Sequence, residues 1–484
     1  MKKTDKIAVL GFGVEGRAMC EYLLKHGYRD VIVCDQNANV DGVPSEISAR
    51  LGPKYLTNLG DFDIVFRSPG ISFFRPEIQE LLGSQTVVSS MTKYFFEHCP
   101  VPIVGVTGTK GKGTTASLIT EILRQNGRKV FLGGNIGVPA VSFLDDLSED
   151  GLVVLELSSF QLVDLEVSPH VAVVLNVTSE HLDYHSSIME YHESKYPIMK
   201  FQGVNDVSVL NRDYPYAEEF AKLGEGKKLF VSSRNSSRNS ATNDTWIDGA
   251  RGVDAGLHWN DESDPDPRER GSREFMKVRE FGLLGRHNWE NILSAKTVAR
   301  YFGVDHFIIE SVLRQFTGLP HRLEKIDVGG CGNINFYNDS FSTTPEACIA
   351  ACSAFEDMGK PFFLIAGGSE KGSSFTVLGW KLSQMKFLQK VFLMGPSGVR
   401  IGEAISDGFR MCTEDGTICR EKVPSEMVEN LSEAMHRAVD EAKKLDEDAV
   451  ILMSPAAASF NEFKNYKERG GKFRELAKKT TSRS

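Results

Sequence analysis

No apolar run in the 484-residue sequence approaches the length a membrane-spanning helix needs. The amino end, Met1-Lys-Lys-Thr-Asp-Lys6, is followed by one short apolar stretch, Ile7 to Leu10, and then Gly11. That is too little for a secretory signal. Cysteines number only eight and never form a CxxC pair, so a disulfide framework or a thiolate metal site does not organise the chain. Cys348 and Cys352 stand one helical turn apart, a spacing that suits core packing. Positive charge is in deficit too: 56 Lys and Arg face 65 Asp and Glu, a net charge of −9, which argues against a nucleic-acid surface. The expectation is a cytoplasmic protein without a membrane span, monomeric, acting on small molecules. Its length calls for two or three domains.

Glycine, in contrast, is placed with purpose. Val104-Gly-Val-Thr-Gly-Thr-Lys-Gly-Lys-Gly-Thr-Thr115 follows an apolar run, Val101 to Val106, that reads as a buried parallel strand. After it, Leu118, Ile119, Ile122 and Leu123 recur at helical spacing until Gly127. Strand, glycine loop and helix together make a phosphate cradle. Gly108, Gly111 and Gly113 allow close backbone approach, amides at the helix start face the phosphate, and Lys112 adds charge. Thr114 offers a hydroxyl to Mg2+. Gly113, standing between the lysine and that hydroxyl, departs from the usual spacing. An ordinary glycine turn would not need a lysine and two threonines there, so the loop reads as a nucleoside triphosphate site.

The first hundred residues open on strand Ile7–Leu10, the loop Gly11-Phe-Gly13-Val14-Glu-Gly16, a helix over 17–26 and strand Val31–Asp35 ending in an acid. This is a Rossmann-like start whose crevice suits a diphosphate ligand. A strand over 62–66 leads to Ser68-Pro-Gly70-Ile71, a second tight turn at a strand end. A nicotinamide dinucleotide and a nucleotide sugar are equally compatible with it. Farther on, Gly133-Gly-Asn135-Ile-Gly137 is a rigid loop, and Glu156 is a lone acid ending the buried strand Leu152–Glu156. An unpaired buried charge is costly without a role, which makes Glu156 a candidate Mg2+ ligand. His181 lies on a strand-end loop among Asn176, Thr178, Glu180 and Asp183, a setting for metal or phosphate. Lys195 falls within an expected helix over 188–200, where its own spacing suggests a solvated face.

The motifs Gly108-Thr-Lys-Gly-Lys112, Gly133-Gly-Asn-Ile-Gly137, Glu156-Leu-Ser-Ser-Phe-Gln161 and Asn176-Val-Thr-Ser-Glu-His181, in this order, resemble the Mur ligase family. The resemblance runs over nearly the whole chain. It implies three α/β domains: a Rossmann-like UDP-substrate domain over 1–99, a central P-loop ATPase-like parallel-sheet domain over 100–318, and a Rossmann-like amino-acid domain over 319–484. It also implies an ATP-dependent ligase that joins glutamate to UDP-N-acetylmuramoyl-L-alanine through an acyl phosphate, in cell-wall precursor synthesis. By the same resemblance Gly108 to Thr115 (Thr109, Lys110, Gly111, Lys112, Gly113 and Thr114 included) hold ATP, with Asn288, Asn291, Arg322 and Asp339. Thr114, Glu156, His181 and a carbamylated Lys195 would ligate two Mg2+ ions, and Lys112, His181 and Lys195 would be the catalytic set. Gly11, Phe12, Gly13, Val14, Gly16, Asp35, Ser68, Gly70, Asn135 and Gln161 would line the UDP-substrate. Thr343, Lys371, Ser459 and Tyr466 would frame the glutamate.

Phe341 stands where the family's D-glutamate enzymes carry a lysine, within Asp339-Ser-Phe-Ser-Thr-Thr-Pro345. D-glutamate is the favoured acceptor, and the L-glutamate-adding variant is the alternative. Lys112-Gly113-Thr114 resembles the folylpolyglutamate synthase branch, but the UDP-type first domain argues against folate. An NAD-dependent oxidoreductase would leave the phosphate loop unexplained, and a non-catalytic nucleotide-binding regulator would leave the metal set unexplained. An insertion over about 232–275, low in complexity and rich in charge and proline, is expected to form loops around a small β excursion. In the third domain strands are expected at 362–366, 390–394 and 449–453 and a helix over 425–444, with the last helix starting near 454–463.

Overall fold

The computed structural model describes residues 1–178, 184–232, 244–247, 255–258, 274–276, 283–285, 287–329, 333–370, 372–414, 423–460 and 462–481. His181, Lys371 and most of the 232–275 insertion lie outside the described residues. Three sheets carry the chain. The first is five parallel strands, β1 (Ile7–Leu10), β2 (Val31–Asp35), β3 (Ser48–Leu51), β4 (Ile64–Arg67) and β5 (Val87–Ser90), in the order β3-β2-β1-β4-β5. Strand order reverses between β1 and β4, so the loops leaving these two neighbours flank an open crevice. Ligands bind at such a switch point in α/β sheets. β1 and β4 read as continuous apolar runs because both faces are covered, and every residue of each is buried.

The second sheet contains β6 (Ile103–Thr107), β7 (Lys129–Gly134), β8 (Gly151–Glu156), β9 (Val171–Val174), β10 (Val207–Asn211) and β11 (Lys227–Ser232). It extends through β12 (Asp244–Ile247), β13 (Ala255–His258) and β14 (Glu274–Met276), which are the described parts of the insertion. The order is β14-β13-β12-β11-β10-β9-β6-β8-β7, parallel except at the β12–β13 and β13–β14 pairings, so that β13 alone runs against the others. β6 therefore lies between β8 and β9. Their carboxyl ends place the phosphate loop, Glu156 and the Asn176 segment side by side. The helix Lys112–Gln125 buries Leu118, Ile119, Ile122 and Leu123, as its periodicity requires.

The third sheet runs β15 (Glu324–Ile326), β16 (Ile334–Asn338), β20 (Ala449–Met453), β17 (Phe362–Gly367), β18 (Leu388–Met394) and β19 (Ser425–Met427) in spatial order, with only β15–β16 antiparallel. By contacts the chain forms two compact units, 1–280 with 289–314 and 281–288 with 315–484. Among the described residues no helix is long and apolar enough to cross a membrane.

Three expectations need correction. The helix expected over 188–200 is two short helices, Ile188–Glu193 and Pro197–Lys200, with Ser194, Lys195 and Tyr196 in the turn between them. Proline has no N–H for the i−4 bond and its ring crowds the turn before it, so the break falls there. Residues 425–444 open as an edge strand, β19, and become helical only from Leu431 to Ala442, behind an Asn430 cap. The last helix begins at Tyr466.

Candidate active site

β6 ends at Thr107, and the chain then turns through Gly108 at φ +147 and Gly111 at φ +88 before the helix begins at Lys112. Gly111 has a second reason to be glycine: a Cβ there would lie 2.2 Å from Asn291 Oδ1. The same Asn291 oxygen accepts from Thr115 Oγ1 at 3.1 Å, so the helix His287–Tyr301 is keyed into the phosphate loop. Asn288, one turn earlier, gives its amide N–H to Leu284 O at 2.6 Å. Thr109 is fixed from three sides. Its N–H donates to Asn176 O at 2.6 Å, its hydroxyl accepts from Thr178 N–H at 2.9 Å, and the same hydroxyl meets Tyr191 OH at 3.0 Å. Lys112 Nζ donates to Gly108 O and Thr109 O at 3.0 Å, its charge held over the concave face of its own loop. Lys110 is exposed at the tip, whereas Gly113, Thr114 and Thr115 are buried on the first turn.

Glu156 closes β8 at 2% exposure. Its Oε1 accepts from Asn135 Nδ2 at 2.8 Å, and its backbone carbonyl accepts from Asn135 N–H at 2.9 Å. Gly134 permits this closeness, since a Cβ there would sit 2.3 Å from Glu156 O. Glu156 Oε2 is buried and accepts no hydrogen bond among the described residues. A buried carboxylate oxygen left in this state is costly unless a cation takes it up, so the residue fits an Mg2+ ligand. No group of three or more His, Cys, Asp or Glu converges among the described residues.

Lys195 corrects its own sequence reading: it is 1% exposed, not on a solvated face. Its Nζ stands 4.2 Å from the centroid of the Tyr191 ring, whose hydroxyl reaches Thr109. Tyr191 thus joins the lysine to the phosphate loop. His185, which the sequence did not mark, is buried between Ser159 Oγ at 3.0 Å and Glu190 Oε1 at 3.1 Å.

Most of the residues expected to line a UDP-substrate lie at the switch point of the first sheet. Ser68 Oγ donates to Gly11 O at 3.0 Å, and a Cβ on Gly16 would come within 1.9 Å of that same carbonyl oxygen. Asp35 Oδ2 accepts from Phe12 N–H at 2.7 Å, so the acid at the end of β2 braces the glycine loop. Gly13 and Val14 are exposed there, and Gly70 is exposed on the facing loop. Gln161 arrives from the second sheet. Its Oε1 accepts from Ser158 N–H at 3.1 Å, and its Nε2 donates to Glu15 Oε1 at 2.7 Å.

In the third sheet Asp339 follows β16 and is buried. It accepts from Ser454 Oγ at 2.7 Å and Leu323 N–H at 3.1 Å, and burial raises its pKa to about 6. Phe341 is wedged between two of the candidate residues. The Arg322 guanidinium lies 3.8 Å from its ring centroid, and the Tyr466 ring meets it edge-on at 5.0 Å. Arg469, 1% exposed, donates to Ser340 Oγ at 3.0 Å, to Ser340 O at 3.0 Å and to Ala457 O at 3.1 Å. It ties the Asp339–Thr343 loop to the one carrying Ser459. Arg469 drew no notice in the sequence because a lone arginine on a polar helix looks solvated.

A glycine loop at the central strand of a parallel sheet, an acid ending the adjacent strand and a helix keyed into the loop define a P-loop nucleotide-binding α/β protein. Residues 106–299 match the Mur ligase middle domain, and residues 5–89 match the Mur ligase MurD-like N-terminal domain. The chain is 35% identical over 482 residues to the UDP-N-acetylmuramoylalanine–D-glutamate ligase of Acetivibrio thermocellus, covering 98% of this chain and 96% of that one. It is 34% identical to the enzyme of the same name from Symbiobacterium thermophilum, covering 98% of each. Among solved structures, MurF from Acinetobacter baumannii shares the fold with a TM-score of 0.59 at 15% identity, covering 97% of this chain and 90% of that one. MurF from Thermotoga maritima in complex with ADP does so with a TM-score of 0.58 at 19% identity, covering 99% and 94%. The chain belongs to the Mur ligase family.

Proposed function

We propose that this chain is an ATP-dependent ligase that joins D-glutamate to the alanyl carboxylate of UDP-N-acetylmuramoyl-L-alanine in peptidoglycan precursor synthesis. The observation that carries this reading is end-to-end similarity, at 35% identity, to a relative named for that reaction, together with a phosphate loop braced at every turn. The alanyl carboxylate attacks the γ-phosphate, ADP leaves and an acyl phosphate forms. The amine of glutamate then attacks the acyl carbon, and inorganic phosphate departs. Loop amides from Gly108 to Thr115 and the Lys112 ammonium hold the phosphates and meet the charge that develops during transfer. Asn291, Thr109 and Tyr191 hold the loop so that no reorganisation is needed at that moment.

Mg2+ bound here would neutralise phosphate charge, and Glu156 and Thr114 are the residues placed to hold it. His181 completes the proposed ligand set. Lys195 is proposed to act as its carbamate, which turns a buried ammonium into an oxygen ligand. Labelled bicarbonate should give a carbamate carbon resonance in the purified protein that is absent from Lys195→Met. In the first sheet the Gly11–Gly16 loop, Asp35 and Ser68–Gly70 take the UDP end, with Asn135 and Gln161 along the rest of the substrate. In the third, Arg322 and Asp339 serve ATP, while Thr343, Lys371, Ser459 and Tyr466 frame glutamate.

The test is phosphate release by purified protein with ATP, Mg2+ and UDP-N-acetylmuramoyl-L-alanine, offering each glutamate enantiomer separately. Release with D-glutamate alone is expected. Release with L-glutamate alone would overturn the choice of acceptor, and release with neither would overturn the ligase.

A further inference from the structure

Glu15 sits on the first turn of the helix Val14–Lys25, directly behind the glycine loop of the first sheet, yet its carboxyl does not cap that helix. It reaches instead to the second sheet, where Glu15 Oε1 accepts from Gln161 Nε2 at 2.7 Å. Gln161 is held by its other end on Ser158, so Glu15 decides where the remaining amide N–H of Gln161 points. Both side chains line a narrow cavity with Thr92, Gly134, Pro139 and Leu155.

The charged groups facing Glu15 are Arg67, at the end of β4, and Asp164, just past the helix Ser159–Leu162. These two neutralise each other: Arg67 Nη2 lies 3.0 Å from Asp164 Oδ2, with Arg67 fully buried. They leave no net positive charge to balance a Glu15 carboxylate. A helix amino end favours one anion, through its free amides and dipole. A diphosphate held at that amino end would lie close to an ionised Glu15 carboxylate and meet a like charge with no free cation beside it among the described residues. One of two adjacent anions is then driven to take a proton.

We propose that Glu15 is a proton-coupled positioning residue of the UDP-substrate site, neutral when the diphosphate is bound and orienting Gln161 along the substrate in either state. Burial already raises the Glu15 carboxyl to about 7 in the free protein, so a small further push from the diphosphate moves it across neutral pH. The inference rests on the UDP-substrate reading of the glycine loop.

Calorimetric titration with UDP-N-acetylmuramoyl-L-alanine, without ATP, tests it in the full-length protein. The measurement is repeated near pH 7.5 in buffers of different ionisation enthalpy. The ligand's diphosphate diester and alanyl carboxylate do not titrate between about pH 6.5 and 8, so proton uptake reports on the protein. Wild type is expected to take up a substantial fraction of one proton, and its Kd to rise by up to about tenfold per pH unit above 7. Glu15→Gln keeps an acceptor for Gln161, and should bind with a pH-independent Kd and no uptake. Equal uptake by wild type and Glu15→Gln would overturn the proposal while leaving the substrate reading intact. Absence of binding by wild type at any pH would overturn the substrate reading itself. Glu15→Ala separates the positioning role: it should lose uptake and also raise KM for the UDP-substrate, with KM for ATP unchanged. An Ala variant indistinguishable from Gln would remove the positioning part of the claim.

Discussion

A methyl group is enough to test the phosphate loop. Gly111→Ala places a Cβ against Asn291 Oδ1 in a backbone conformation, φ +88, that alanine resists. The loop and the helix that braces it must then separate by about an ångström, a displacement that costs on the order of 100-fold in rate. Steady-state kinetics should show kcat/KM for ATP falling by about that factor, with UDP-substrate affinity unchanged. Glu15 supplies a second prediction at this scale, and its sign follows from proton counting. The unfolded carboxyl titrates near 4.5 and the folded one near 7, so between these values the folded state holds more protons. Stability therefore falls as pH rises through that window and stays at the lower level above it. Glu15→Gln has no such loss. Its melting temperature should match wild type near pH 4.5 and exceed it at pH 8, the gap corresponding to roughly 3 kcal/mol at most. A gap that is constant with pH would contradict the burial argument. Some residues declared themselves in sequence. Glu156 did, because a lone acid ending an apolar strand has no cheap alternative. Lys195 and Glu15 did not: the turn before Pro197 that takes Lys195 off a helical face was hidden by the helical rhythm around it, and the Gln161 partner of Glu15 lies 146 residues away.

Between elements, the Arg67–Asp164 pair joins β4 of the first sheet to the segment after Gln161 in the second. Arg67 also donates to Ile71 O at 2.8 Å and Phe160 O at 2.9 Å, and Ser90 Oγ donates to Asp164 at 3.2 Å. Removing one partner of such a buried pair leaves an uncompensated charge, at a cost of about 3–5 kcal/mol. Asp164→Asn should lower the denaturant midpoint of the unit holding the first two sheets by a corresponding amount. The double variant Arg67→Met/Asp164→Leu should recover most of the loss. No shift in Asp164→Asn would show that the two sheets are held by apolar packing alone. Elements with a long, one-sided or fully buried pattern were legible: β2, β8, β20 and the helix Lys112–Gln125 lie within a residue or two of expectation. The break before Pro197 was missed although the proline was visible, because Ile188, Tyr191, Ile198 and Met199 keep a helical rhythm across it. β19 was missed because three half-exposed edge residues carry no alternation to read.

At the scale of the molecule, three parallel-rich sheets each deliver their candidate residues from loops at strand ends: Gly11–Gly16 and Ser68–Gly70, then Gly108–Thr115, Glu156 and Asn176, then Asp339 and Ser454–Ser459. This much was legible, since a strand followed by a glycine or acid turn recurs in the sequence at each place. What was not legible is how the chain shares cores, because that depends on contacts far apart in sequence. The third sheet has apolar clusters on both faces, around Phe355, Phe362 and Leu378 on one and Ile365, Met435 and Phe473 on the other. A segment with two such faces covered has what independent folding requires. Residues 315–484 expressed alone should unfold cooperatively on heating, and residues 1–314 should bind the UDP-substrate with a Kd within a few-fold of the full chain. The larger fragment should release no phosphate from ATP above background, because Arg322, Asp339, Lys371 and Ser459 are all on the other piece. Turnover by 1–314 alone would show that the third domain is dispensable for chemistry. Loss of UDP-substrate binding would show that the substrate needs more than the first two sheets. Restoration of turnover on mixing the pieces would show that the chain connection is not itself required.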